Sequence, residues 1–113
     1  MKLILDDETN PQWRSTRADI VGGETYVWVS TVLEALDVVT GNQGAITHLT
    51  VDNDLGEGTP EGHVLLDTIE QAVYTDPSFI PPRLISVHSK NASRLQSMRV
   101  TAQQIMEKGA TRW

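Results

Sequence analysis

Four short apolar runs punctuate the chain: KLIL (Lys2–Leu5), Tyr26–Val29 within ETYVWVS, AITHLTV (Ala45–Val51) and RLISVHS (Arg83–Ser89). Each is brief, mostly aliphatic, β-branched or aromatic, and bounded by polar or turn-forming residues, which predicts strands. Between them the apolar period lengthens. Thr31 and Glu34 have the spacing of a capping box and predict a helix through about Val39, ended by Gly41 and Gly44. Thr59 predicts an N-cap with Pro60 as first helical residue, and Val64, Leu65, Ile69, Ala72 and Val73 mark one buried face. Leu95, Met98, Ala102, Ile105 and Met106 repeat at helical spacing, so a last helix is predicted from about Ala92 to Lys108, stopped by Gly109. The stretch from Asp7 to Thr25 is polar, broken by Pro11 and Gly22-Gly23, and shows no clear amphipathic helix.

Strands alternating with helices predict an α/β fold with a mainly parallel central sheet of about four strands flanked by helices, in one domain over residues 1–113. In such sheets ligands bind beyond the carboxyl ends of the strands. Those ends carry the chemistry here. Asp6 and Asp7 close the first strand, Asp52 and Asp54 the third, and His88, Ser89 and Lys90 the fourth. One crevice is expected to gather them.

Composition narrows the possibilities. The 113 residues are 39% hydrophobic, too apolar for a disordered acidic chain, and carry a net charge of −6. There is no Lys/Arg-rich run, which argues against duplex nucleic acid as a partner. With no cysteine, disulfides, thiol catalysis and zinc–thiolate sites are excluded. The N-terminus does not read as a signal peptide and no run is long enough to span a bilayer, so a soluble, cytoplasmic protein is expected.

Four carboxylates in one crevice repel one another unless a cation offsets them. A hard divalent ion, Mg²⁺ or Mn²⁺, held by Asp6, Asp7, Asp52 and Asp54 is the simple solution. Asp52 and Asp54, two apart, point the same way if the backbone stays extended. His88 suits a general acid or base, and Ser89, Lys90 and the amides opening the last helix suit a phosphate. The plainer readings are a hydrogen-bonded structural histidine, a helix cap at Ser89 or Asn91, and a solvated Lys90. Glu8, Glu57 and Glu61 read as solvated loop acids, His63 as a surface residue, and His48 has no assigned role. Trp13 reads as a loop anchor or a base-stacking ring, Trp28 as core or interface. Gly56, Gly58 and Gly62 match no Walker or dinucleotide fingerprint and read as turn formers.

The motifs "LDDE", "VDNDLG" and "SVHS", in this order, resemble receiver domains of two-component signalling. The combination LDD…VDNDLG…VHS is more similar to a divergent branch, the cyclic-phosphate processing receiver family, found in prokaryotic and phage genomes. The resemblance implies a truncated receiver-like, flavodoxin-like three-layer fold and, with it, a setting in a phage or prokaryotic conflict system. It departs from ordinary receivers in three places. The first helix is not readable, His88 or Ser89 stands where a plain Ser or Thr is usual, and no fifth strand with its lysine follows the last helix.

Three functions follow. The first is a metal-assisted phosphoesterase acting on a cyclic nucleotide or a 2′,3′-cyclic phosphate RNA end, with His88 and Asp52 as catalytic candidates and Ser89 and Lys90 gripping the phosphate. The second is a signalling receiver phosphorylated on Asp52 or Asp54. The third is a non-catalytic module binding a ligand or partner, with Arg94, Arg99, Gln103 and Gln104 on the exposed face of the last helix.

Overall fold

The computed structural model describes residues 1–8 and 25–113. The expectations for Trp13 and for most of the Asp7–Thr25 stretch lie outside them. Four strands, β1 (Lys2–Leu5), β2 (Tyr26–Val29), β3 (His48–Asp52) and β4 (Leu84–His88), form one sheet in the order β2-β1-β3-β4. Every pairing is parallel, as the alternation of strands and helices predicts. Three helices, α1 (Val32–Gly41), α2 (Gly62–Thr75) and α3 (Ala92–Gly109), flank it, and a 3₁₀ turn covers Ala110–Arg112.

Side chains alternate across the sheet. Leu3, Leu5, Val29, Leu49, Val51 and Ile85 form one core with the buried faces of all three helices: Val32, Ala35 and Val39 of α1, Leu65, Leu66, Ile69 and Val73 of α2, and Met98, Ala102 and Ile105 of α3. The opposite face carries Ile4 and Thr50, which are buried too.

The helix boundaries show which local signals prevail. Thr31 caps α1, its hydroxyl accepting the Glu34 N–H at 3.2 Å. The Glu34 carboxylate answers through the Thr31 hydroxyl at 2.9 Å. α2, by contrast, does not begin at Thr59-Pro60. Thr59 donates its hydroxyl to the Leu55 and Gly56 carbonyls and closes the preceding loop instead. The cap is supplied by Asn53, whose carbonyl accepts the Gly62 N–H at 3.1 Å and whose side-chain oxygen accepts the His63 N–H at 3.0 Å. Glycine is required at 62 because a β-carbon there would overlap the Asp52 carbonyl oxygen. Gly56 and Gly58 do serve as turn formers, with φ of +97° and +77°. Gly109 is the last residue of α3 rather than a stop beyond it, and a β-carbon there would run into Pro81.

A β2-β1-β3-β4 order reverses direction between β1 and β3. That is the topological switch point at which open α/β sheets place their ligands.

Candidate functional site

At the carboxyl edge of this switch point a crevice of about 770 Å³ opens, lined by the acids of β1 and β3 on one side and by β4 and α3 on the other. Asp6, Asp7, Asp52, Asp54, His88, Ser89 and Lys90 all line it. The expectation of one shared crevice holds for every candidate position.

Asp6 is the fixed point. β1 ends at Leu5, and the Asp6 N–H donates to Val29 O at 3.0 Å. Its carbonyl takes the Trp28 indole N–H at 3.0 Å, and its Oδ1 accepts the Glu8 N–H at 2.9 Å. The turn so made lets Asp6 and Asp7, consecutive residues, both face the crevice. Asp6 is 7% exposed and Asp7 is exposed. Across the sheet Asp52 stands beside them, half-buried, in register with His88. One carboxylate oxygen from each of Asp6, Asp7 and Asp52 lies within 4.8 Å of the others.

That crowding shows in Asp52. Its pKa is pushed up from the usual 3.8 to about 6, first by burial and then by the negative charges of Asp6, Asp54 and Asp7. The Asp54 N–H, 3.1 Å from Asp52 Oδ1, works in the opposite direction. Three convergent carboxylates, one of them buried and one reluctant to ionise, are a donor set that fits a hard divalent cation.

Asp54 lies outside this triad. The backbone turns at Asp52 instead of staying extended, and Asp54 Oδ2 accepts the Lys90 N–H at 2.9 Å. This ties the β3–α2 loop to the β4–α3 loop. Two more amides at this end of α3 are taken: Ser89 Oγ accepts the Asn91 N–H at 3.1 Å, and Asn91 Oδ1 caps the helix through the Arg94 N–H at 3.0 Å. Asn91, not Ser89, is thus the N-cap. Ser89 and Lys90 both line the crevice, whereas Asn91 does not.

Four residues gain importance over what their sequence context suggests. Asn53, only 3% exposed, follows Asp52 and organises the loop. Its N–H holds His88 O at 2.9 Å, and its amide nitrogen reaches Glu61 Oε2 at 2.9 Å. His63 Nδ1 lies 3.0 Å from Asn53 Oδ1 and 3.4 Å from Glu61, so it braces the loop and does not line the crevice. Arg99, assigned from sequence to the outer face of the last helix, lines the crevice with Leu95. Glu8 lines it as well. The signal for Arg99 was its spacing of four from Leu95, which puts both on one helix face.

Comparison with curated proteins and with solved structures gives no match in either set. Comparison with protein families does: the model of the cyclic-phosphate processing receiver domain matches residues 1–104 of the 113. With the receiver sheet order, and with an aspartate pair after β1 meeting an aspartate at the end of β3, the chain belongs to the cyclic-phosphate processing receiver domain family.

Proposed function

We propose that the protein is a metal-dependent phosphoesterase that opens cyclic phosphates. The observation that carries this reading is the division of one crevice into an anionic triad and a side bearing a histidine and a cation. Asp6, Asp7 and Asp52 are the residues that would hold Mg²⁺ or Mn²⁺. Such an ion supplies charge neutralisation and Lewis acidity toward phosphoryl oxygens.

The remaining work falls to the chain's own side chains. A cyclic phosphodiester carries one negative charge, and its approach to an acidic protein needs local cations. Lys90 makes no ion pair among the described residues and lies at the crevice wall. Ser89 Oγ accepts one bond from the Asn91 N–H, which leaves its hydroxyl hydrogen to donate to a phosphoryl oxygen. Ring opening forms a P–O bond to a water, which gives up a proton to solvent, and breaks one ring P–O bond, leaving an alkoxide that needs a proton. His88, exposed at the rim beside Asp52 on the neighbouring strand, would donate it. The product is a phosphomonoester with one new hydroxyl.

A second reading is favoured by Asp52, which ends β3 beside an acidic pair and on this reading would be the phospho-accepting aspartate. Incubation with a panel of cyclic phosphates, with and without Mg²⁺ or Mn²⁺, separates the two. Metal-dependent release of monoester supports the phosphoesterase. A stable aspartyl phosphate formed from a small phosphodonor, without monoester release, supports the receiver reading.

A further inference from the structure

The crevice has a second half that the phosphate chemistry leaves unused. In β4, alternate residues turn their backbone groups toward β3. The Leu84 N–H reaches Thr47 O at 3.1 Å, and His88 O accepts the Asn53 N–H at 2.9 Å. Ile85 and Val87 therefore turn theirs to the outer edge, where no strand pairs with β4 among the described residues. At Ile85 the edge is closed by the C-terminal half of α3, with the Ile85 N–H 3.3 Å from Met106 Sδ. At Val87 the outward backbone groups meet no partner among the described residues. Val87, Leu95 and Arg99 form the wall of the same crevice that holds the acids.

We propose that this wall is a nucleobase subsite, so that the ligand is a nucleoside cyclic phosphate rather than the cyclic phosphate of a polyol. The proposal rests on the phosphoesterase reading for the other half of the crevice. A nucleobase has a flat apolar face and a rim carrying adjacent donors and acceptors. The aliphatic side chains of Val87 and Leu95 suit the face. The outward N–H and C=O of Val87 offer one donor and one acceptor to the rim. The Arg99 guanidinium, planar and weakly hydrated, stacks on rings and reaches ring acceptors. A polyol requires polar partners around most of its surface, and two aliphatic side chains cannot supply them. A hydrocarbon tail would bury the Val87 amide and the Arg99 charge without partners.

The test is calorimetric titration of the full chain, in Mg²⁺, with adenosine 2′,3′-cyclic phosphate and with 1-O-methylribose 2,3-cyclic phosphate, which lacks the base. The base should tighten binding by about tenfold or more. Leu95→Ser should remove most of that gain. Arg99→Lys should do the same while keeping the charge, and it should leave the base-free ester within about threefold of the parent value. Equal affinity for the two esters, or a gain that survives both substitutions in folded protein, overturns the subsite. Base-dependent binding without turnover supports the subsite and sinks the phosphoesterase reading. Turnover of both esters at equal kcat/KM has the reverse effect, and binding of neither ester sinks both.

Discussion

Removing the charge of Asp52 should stabilise the metal-free protein, and only above a definite pH. The folded-state pKa stands near 6 against the usual 3.8, with burial the largest cause and Asp6, Asp54 and Asp7 adding to it. A raised carboxylate pKa means that the folded state holds a proton that the unfolded state has released. The associated stability is complete below pH 3.8 and is lost as pH rises through about 6. At full strength the difference corresponds to ~3 kcal/mol. Asp52 is only half-buried, and solvent screening reduces this to about 1–2 kcal/mol. Asp52→Asn preserves the shape and an oxygen for the Asp54 N–H, so it isolates the charge. For a chain of this length 1 kcal/mol is about 4 °C in Tm. The variant should therefore melt roughly 4–8 °C above the parent at pH 7.5 without divalent ions, and within a degree or so of it near pH 4. Thermal melts across that range, monitored by circular dichroism, measure the gap. Saturating Mg²⁺ should then invert the order. An ion at 100 times its Kd adds about 2.7 kcal/mol to the parent, and less to a variant with one carboxylate fewer. A gap that is independent of pH, or an Asn variant less stable at pH 7.5, would show that the Asp52 charge does not destabilise the metal-free fold.

Other substitutions probe the remaining parts. His88→Ala should lower kcat on a cyclic phosphate by about 10²–10⁴-fold with little change in KM or Tm, since the ring is exposed and outside the core; steady-state kinetics and a melt check both. Gly62→Ala should cost on the order of 2–3 kcal/mol in chemical denaturation, because the Asp52 carbonyl occupies the space of the new methyl. Asn53→Ala should cost about 1–3 kcal/mol, since it leaves the His63 N–H without its acceptor. The same denaturation experiment reads it.

Much of the fold follows from short-range patterning. All four strands, three helices and the convergence of acids at the strand ends are legible from period and turn residues, because each apolar run fits one element length and the chain alternates types. The errors share a cause. Thr59-Pro60 has the local chemistry of a helix start, yet α2 begins at Gly62, where Asn53 supplies the cap from ten residues before His63. A cap delivered across a loop has no sequence spacing to announce it. Asp52 and Asp54 look equivalent as i and i+2, but a turn separates them, and the amide of Lys90 decides where Asp54 goes. Arg99 is exposed, as its helical position predicts, but its place on the crevice wall is not legible, because the helical period shows which face is apolar and not which end of that face borders an open crevice. The triad was legible as residues and not as a geometry: the Asx turn at Asp6, held by Glu8 and Trp28, brings Asp7 in.

On the proposed function, the triad and the β4 side of the crevice act together on a cyclic phosphate. Phosphorus-31 NMR of the purified protein mixed with adenosine 2′,3′-cyclic phosphate tests this directly. With Mg²⁺ or Mn²⁺ present, the cyclic ester resonance should give way to a monoester resonance, and the conversion should fail with chelator, with Asp52→Asn and with His88→Ala. A cyclic resonance that persists undiminished, in a protein shown by melting to bind the cation, would show that the crevice does not open cyclic phosphates.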